Sequence, residues 1–151
     1  MTSEFTIAVH ALVFLNHKQE VLSSEALAEN VCTNPARIRK VLSGLKKAGL
    51  VETKEGIDGG YHFSADAQSV NLGMVADALG VSFVSASWKT GDPHMACLIA
   101  SGMDQVMGGI YRELDDICYA RLRQITIADI DNYIFGAMRT TVESGGARSG
   151  N

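Results

Sequence analysis

Proline, cysteine and long apolar runs are all scarce in this 151-residue chain, and each shortage argues against a class of protein. The small number of prolines argues against general disorder. The three cysteines, Cys32, Cys97 and Cys118, are widely spaced and odd in number, which excludes a disulfide framework. They form no Cys/His cluster with the spacing of a metal site, so no metal is expected. No apolar run approaches the roughly 20 residues that span a bilayer, and Met1 is not followed by the basic start of a secretory signal. A cytoplasmic protein without a membrane partner is therefore expected.

The composition that remains is that of a folded protein. Hydrophobic residues make up 46% of the chain and charged residues 20%, which is enough apolar material for a core and too little charge for general disorder. A chain of this length suits one domain, or one small domain with an appended helical part.

Positive charge is concentrated in one stretch of an otherwise acidic chain. The whole chain carries a net charge of −4, whereas residues 33–54 hold six basic residues against the single acid Glu52, a net +5, so the remainder carries −9. Such asymmetry indicates a local electrostatic footprint, although a charge run is more often only a solvated face. The six basic residues are Arg37, Arg39, Lys40, Lys46, Lys47 and Lys54.

The first 50 residues predict three helices. Apolar spacing predicts one over Phe5 to Leu15, and Ser23 or Ser24 caps a short one over Glu25 to Asn30. A third helix, to about residue 48, begins at Asn34-Pro35, because Asn caps free amides and Pro is tolerated at the first helical position. The inner face of this third helix comprises Ile38, Val41, Leu42 and Leu45.

The next segment predicts a β-hairpin followed by a short helix. Leu50 to Lys54 and Tyr61 to Ser64 have the character of strands, and "EGIDGG" between them supplies the turn, with Asp58-Gly59 its sharpest signal. Asn71 then caps a helix over residues 72–79. The predicted fold is therefore mainly α with a small β-hairpin wing, a winged helix-turn-helix domain over residues 1–80.

Residues 81–140 are predicted to supply a linker, a long dimerisation helix and a final helix. Asp92-Pro93 repeats the cap-and-proline signal and predicts a long helix that starts there and reaches about Arg123. Thr126 with Asp129 is a weaker capping signal for a last helix, to about Met138, and residues 141–151 are expected to be a disordered tail. A coiled-coil-like seam along the long helix predicts a dimer interface of Ile99, Met103, Val106, Ile110 and Ile117.

A helix-turn-helix binds DNA by placing its second helix in the major groove. Arg37, Arg39 and Lys40 in the first two turns are the candidates for contacts with base edges, whereas Lys46 and Lys47 suit phosphates. In the wing, His62 is a further donor. The full candidate DNA-binding set is Asn34, Arg37, Arg39, Lys40, Ser43, Lys46, Lys47, Lys54, Gly59, Gly60 and Tyr61. The alternative is a winged-helix module that binds an acidic protein through the same helix.

The stretch "NPARIRKVLSGLKKAGLVETKEGIDGGYHFS" resembles the recognition helix, the "AGLV" exit and the "GGY" wing of the Rrf2 family of bacterial transcriptional regulators, and "VNLGMVADALG" resembles the segment that follows. Relatives include the iron–sulfur cluster regulator, the nitric-oxide-sensitive repressor and the cysteine-metabolism repressor. The resemblance implies a homodimer, joined through the long helix, that binds an inverted-repeat operator in double-stranded DNA. Glu55 and Asp58 depart from the basic wings that are common in the family.

A second departure concerns the cofactor. Cluster-binding relatives carry three closely spaced cysteines near the start of the long helix, where "SWKTGDPHMACLIASG" holds only Cys97. One thiolate cannot provide the several that an iron–sulfur cluster needs, so no cofactor is expected and the chain resembles the cluster-free branch. Cys97 in the first turns of the long helix, with His94 on the same face, suits a sensor of oxidants or electrophiles. An inert, packed thiol is an equally good hypothesis.

Two further hypotheses concern an effector pocket and catalysis. Phe83 and Trp88 would either line an effector pocket or pack against the long helix. Catalysis is not expected, since no nucleophile–base pair or phosphate-binding loop is recognisable, and "GIDGG" lies between strands. A dimeric regulator, acting as a repressor, is the predicted function.

Overall fold

The computed structural model describes residues 2–136, which form six helices and one two-stranded sheet. The elements are α1 (Thr2–Lys18), α2 (Ser24–Val31), α3 (Pro35–Lys47), β1 (Glu52–Lys54), β2 (Gly60–His62), α4 (Leu72–Leu79), α5 (Leu98–Leu122) and α6 (residues 127–136). This confirms the predicted fold class. The predicted end of the last helix near Met138 and the predicted tail over 141–151 lie outside the described residues. Among residues 2–136, no helix is both long and apolar enough to cross a membrane.

Side-chain caps start four of the helices where the sequence predicts them. Ser23, Asn34 and Asn71 each accept a hydrogen bond from the amide three residues later, at 3.1, 2.8 and 2.9 Å. Thr126 and Asp129 form a reciprocal box, with N···O distances of 2.9 and 3.0 Å. Each cap satisfies an amide that the helix itself leaves free, which is worth about 0.5–2 kcal/mol.

One hydrophobic core joins α1, α2, α3 and α4 with α6. The inner face of α3 is at most 1% exposed, as its apolar spacing predicts. Ile127, the first residue of α6, is fully buried in the same core. Its amide donates to the Val70 carbonyl at 3.0 Å, and the Leu72 amide donates to the Ile125 carbonyl at 2.9 Å. The chain therefore returns after α5 to close the core beside α1 and α4.

The long helix starts later than predicted, at Leu98 and not at Asp92-Pro93. The Asp92 carboxylate accepts from the His94 amide at 2.9 Å, and the Asp92 carbonyl accepts from the Met95 amide at 3.1 Å, which closes a single turn. The Asp92 amide donates to the Ala100 carbonyl at 3.0 Å, so this turn folds back along the beginning of α5. The cap-and-proline signal therefore forms a turn here, and Cys97 is the residue that precedes the helix.

The cysteines differ in their surroundings. As small hydrophobic residues, Cys32 and Cys118 are both expected to be partly buried. Cys118 is half-buried, but Cys32 is exposed, so the expectation is wrong for Cys32. The reason is its place at the end of α2, where it adopts a left-handed conformation with φ of 64°. In that position its amide caps the helix and its side chain points to the surface. All three thiols are free.

The wing is anchored by an unpredicted pairing with the segment after α1. β1 and β2 are antiparallel, with Thr53 opposite Tyr61. On its other side Tyr61 exchanges two backbone hydrogen bonds with Leu22, at 2.8 and 2.9 Å. The neighbouring Gly60 has no room for a side chain, since a Cβ there would lie 2.3 Å from the Leu22 carbonyl oxygen. Gly60 and Tyr61 of the "GGY" motif thus fix the base of the wing.

We predict that Gly60→Ala destabilises the protein by more than Gly49→Ala. Gly49 also has a positive φ, of 77°, but open space surrounds it, so an alanine there adds only backbone strain of about 1–2 kcal/mol. At Gly60 the new methyl group must in addition push Leu22 away from Tyr61. Urea unfolding of both variants measures the difference, and an equal or smaller loss for Gly60→Ala would contradict the proposed anchor.

Candidate nucleic-acid interface

The exposed face of α3 carries the predicted DNA-binding side chains. Because the opposite face is buried, the remaining side chains of the helix point away from the core. The exposed candidates are Arg37, Arg39, Lys40, Ser43, Lys46 and Lys47. Asn34 precedes them as the cap, with its side-chain oxygen occupied by the Arg37 amide. Its observed role is to start the helix.

Two of the basic side chains, Arg37 and Lys40, are held by residues at the start of α1. An Arg37 guanidinium nitrogen donates to Ser3 Oγ at 2.7 Å. The Lys40 ammonium lies 2.9 Å from a carboxylate oxygen of Glu4. Ser3 and Glu4 both belong to the first turn of α1, so the start of this helix orders the two basic groups. This arrangement could not be predicted from the sequence, because nothing local indicates that α1 and α3 begin side by side.

Arg39 is held by Ser24 on α2, and the pKa of Glu4 is shifted by the basic groups around it. A guanidinium nitrogen of Arg39 donates to Ser24 Oγ at 3.2 Å. A hydrogen bond from Lys40, together with its charge, lowers the pKa of Glu4 from its ordinary value. Glu4 is therefore ionised at neutral pH, and its ion pair with Lys40 is lost only as pH falls through that lowered pKa. Lys40 itself remains largely exposed, which leaves the pair open to competition by another anion.

The lysines at the end of α3 and in β1 differ from Lys40 in their surroundings. Among residues 2–136, Lys46, Lys47 and Lys54 have no ion-pair partner. Lys46 and Lys47 lie in the last turn of α3, where positive charge also favours the helix dipole. An exposed ammonium without a carboxylate partner is suited to a phosphate contact.

The wing carries a different set of groups. His62 Nε2 lies 3.1 Å from a carboxylate oxygen of Glu52 on the neighbouring strand, so this predicted donor is paired within the hairpin. Gly59 lies where a Cβ would be 2.4 Å from the Lys54 carbonyl, which makes it part of the turn. At the tip, Ile57 is fully exposed, and sequence analysis did not single it out. An isoleucine between glycine and aspartate gave no periodic signal.

The predicted seam on α5 is exposed in the single chain. Along the whole of α5 no residue is buried. The seam residues Ile99, Met103, Val106, Ile110 and Ile117 are 70, 38, 58, 43 and 60% exposed. The helix is held to its own chain mainly through its second half, where Asp115 accepts from the amides of Phe83 and Val84 at 2.7 and 3.0 Å.

Cys97 is exposed at the start of α5, but without the histidine arrangement that the sequence predicted. The backbone amides of Ala100 and, less strongly, Ile99 favour the thiolate and so lower the pKa of the Cys97 thiol from its ordinary value. Neither amide has the geometry of a capping hydrogen bond to the sulfur. His94 lies in the turn before the helix. The expectation that the two residues share a helical face is therefore wrong, since it depended on a helix start at Asp92.

The donor set does not fit an iron–sulfur cluster. Residues 2–136 contain no group of three or more Cys, His, Asp or Glu side chains arranged to hold a metal ion. Cys32 ends α2, whereas Cys97 and Cys118 lie at the start and near the end of α5, about 30 Å apart along the helix axis. A cluster requires several thiolates in one place.

Phe83 and Trp88, the predicted pair for an effector pocket, are separated in the structure. Phe83 packs edge to face between Phe5 of α1 and Tyr119 of α5, with ring centroids 5.0 and 5.8 Å apart. This is the packing role that the sequence left open. Trp88 is 77% exposed and lines a cavity of about 750 Å³ beside α5, to which Phe83 does not contribute.

Comparison with known proteins extends these observations. Residues 1–132 match the family model Rrf2, described as an iron-dependent transcriptional regulator. A Bacillus subtilis protein named as the HTH-type transcriptional regulator YwnA is 36% identical over 135 residues, which cover 89% of this chain and 99% of YwnA.

Solved structures show the same fold. A transcriptional regulator from Lactobacillus plantarum is 24% identical, with a TM-score of 0.77 over 97% of this chain and 99% of its own. Staphylococcus aureus CymR is 15% identical, with a TM-score of 0.62 over 87% of this chain and 97% of its own. The solved structures show the fold, and the family match over nearly the whole described chain, together with the likeness to YwnA, shows the family. The chain belongs to the Rrf2 family of transcriptional regulators, a family of DNA-binding winged-helix proteins and not of enzymes.

Proposed function

We propose that the protein is a homodimer that binds an inverted-repeat operator sequence-specifically and represses transcription by occupying it. The observation that carries this proposal is the exposed face of α3, on which three ordered basic side chains precede two unpaired lysines. Residues 1–80 act as the DNA-binding domain, and α5 joins two such domains so that their recognition helices meet successive half-sites. A protein that acts on the bacterial chromosome works in the cytoplasm.

A winged-helix module for an acidic protein partner is the second candidate, supported by the same basic face. The two differ in sequence dependence and not in salt dependence, because both contacts are charged. Operator DNA should be bound about a thousandfold or more tightly than random duplex at physiological salt. Equal affinity for promoter and random duplexes would exclude the regulator proposal.

The α3 side chains should separate into two functional groups. Replacing Arg37, Arg39 or Lys40 by Ala should relax base preference and cost about 1–3 kcal/mol for a true base contact. Replacing Lys46 or Lys47 by Ala should weaken all sequences alike and flatten the salt dependence, since phosphate contacts carry no sequence information. Binding of each variant to matched and mismatched duplexes over a range of salt measures both effects.

The controls use the partners on α1. Ser3→Ala and Glu4→Gln leave α3 unchanged but release Arg37 and Lys40, so they should alter base preference less than the direct replacements. If the Arg37 and Arg39 variants keep full sequence preference, base contacts are made by another surface.

The proposed dimer rests on the exposed apolar seam of α5. A row of large apolar side chains exposed to water promotes aggregation of an isolated chain, and pairing two seams buries these side chains. Outside the backbone of α5, the only described group that a Cβ added at Gly108 or Gly109 would meet is the guanidinium group of Arg112, at 3.4 and 3.9 Å. Two adjacent glycines cost helix propensity of up to about 1 kcal/mol each, which is offset if a partner backbone approaches there.

Ile110→Asp should convert the dimer into monomers or insoluble protein and abolish binding to the inverted repeat, because the carboxylate would be buried against the partner. Gln105→Asp introduces the same charge elsewhere on α5, away from the seam, and should leave the dimer intact. Sedimentation at micromolar concentration, with operator binding, distinguishes the two variants. A wild-type protein that is a well-folded monomer at that concentration would refute the dimer.

We propose Cys97 as the residue that senses oxidants or electrophiles. The support is threefold: the thiol is exposed, its pKa is lowered by the amides of Ala100 and Ile99, and it lies where the linker meets α5. A thiolate is the reactive form, and it becomes more abundant as the pKa falls. Modification at this junction would change the spacing of the two recognition helices.

Cys97→Ser tests the thiol proposal. The variant should bind operator like the wild type but keep that affinity after treatment with peroxide or an alkylating agent, which should change the affinity of the wild type. Cys32→Ser is the matched control, because it removes another exposed thiol and should leave the response intact. A Cys97→Ser protein that still responds like the wild type would exclude this residue as the sensor.

A further inference from the structure

A second cavity, distinct from the one beside Trp88, lies between α1 and α6. It has a volume of about 540 Å³. This is within the range of small-molecule sites, about 300–1,000 Å³. Its walls are apolar and rich in rings, with Phe5, Phe14 and Phe135 among them. Among residues 2–136, no Asp, Glu, Lys or Arg lines it.

Polar groups occur at few points on this wall, as in sites that orient a ligand. His10 Nε2 pairs with Asn30 Oδ1 at 2.8 Å, which holds the Asn30 amide in place. Among the described residues the Asn30 amide nitrogen has no hydrogen-bond partner, so it is a free donor. His17 stacks on Phe135 with ring planes 5° apart and centroids at 3.8 Å, and this stack extends the aromatic wall.

We infer that this cavity binds a small aromatic molecule carrying one anionic or carbonyl group, and that its occupancy weakens operator binding. The aromatic wall suits a flat ring. The Asn30 donor suits an acceptor, and none of the described lining residues is a carboxylate, although Asp131 Oδ1 lies 3.4 Å from His17 Nδ1. Such a ligand differs in site and in chemistry from a reagent that modifies Cys97.

The connection from the cavity to the DNA-binding face is short. Phe5 lines the cavity, while the preceding residues Ser3 and Glu4 hold Arg37 and Lys40. Phe5 also contacts Phe83, which packs on Tyr119 of α5. A ligand between α1 and α6 therefore acts on the turn of α1 that touches both the recognition helix and the linker to the long helix.

Fluorescence titration of the full-length protein with anilinonaphthalene sulfonate, an aromatic anion, tests the site. We expect saturable binding of one probe per chain. Ile134→Trp fills the rim from α6, where Ile134 is 43% exposed, and should weaken the probe by at least about tenfold. Trp88→Ala alters the other cavity and should not change probe affinity. Thr6→Trp closes the opposite rim and replaces Ile134→Trp if that variant does not fold.

Three outcomes would overturn the inference. One is unchanged probe affinity in folded Ile134→Trp or Thr6→Trp protein. Another is an equal loss in Trp88→Ala. The third is probe binding by the Ile110→Asp monomer but not by the wild-type dimer, which would mean that a second copy of the chain covers the cavity.

The coupling to DNA rests on the proposed function and has its own readout. The probe should weaken operator binding by at least about fivefold in the wild type and not in Ile134→Trp. Probe binding with unchanged operator affinity would refute the coupling. Failure to bind any operator without probe would count against the proposed function, whereas the titration would still report on the site.

Discussion

The arrangement of the DNA-binding part depends on burial of one face of α3. Ile38, Val41, Leu42 and Leu45 are all but inaccessible to solvent, and each buried aliphatic side chain contributes about 1.5–3 kcal/mol. That burial fixes the rotation of the helix about its axis, which decides where its charged side chains point. Gly44 on the same helix brings α4 close, since a Cβ there would lie 3.1 Å from a Leu79 methyl group. Recognition chemistry on the outer face is thus set by packing on the inner face.

Helix α1 links the parts of the molecule that a regulator must coordinate. Its first turn meets α3, Phe5 meets the linker at Phe83, and its last turns meet α6 through Asn16 and Asp131, 3.1 Å apart. A change in how α1 packs would therefore reach the recognition helix and the long helix together, whether it starts from a ligand or from the dimer interface.

Most of the fold could be predicted from patterns of residues close in sequence, whereas most of the candidate regulatory features depend on contacts between residues far apart in sequence. The caps at Asn34 and Asn71 could be predicted because a cap depends on residues three apart. The start of α5 could not, since Asp92-Pro93 has the same local pattern whether it opens a helix or a turn, and the contact with Ala100 decides between them. The cavity between α1 and α6 could not be predicted either, because the two helices meet through residues 115 apart in sequence.

Acidic groups near the candidate interface have a physical consequence for specificity. Non-specific affinity for DNA grows with the number of phosphates a protein neutralises, and it is independent of sequence. Here Glu4 occupies Lys40, and the chain outside residues 33–54 carries a net charge of −9, which disfavours indiscriminate contact with phosphates. A duplex that offers Lys40 a well-placed acceptor must displace Glu4, whereas a poorly matched duplex gains too little to do so. In the function proposed above, the ion pair between Glu4 and Lys40 would favour sites where several contacts form at once, and selectivity would arise from the competition between Glu4 and DNA as well as from base contacts.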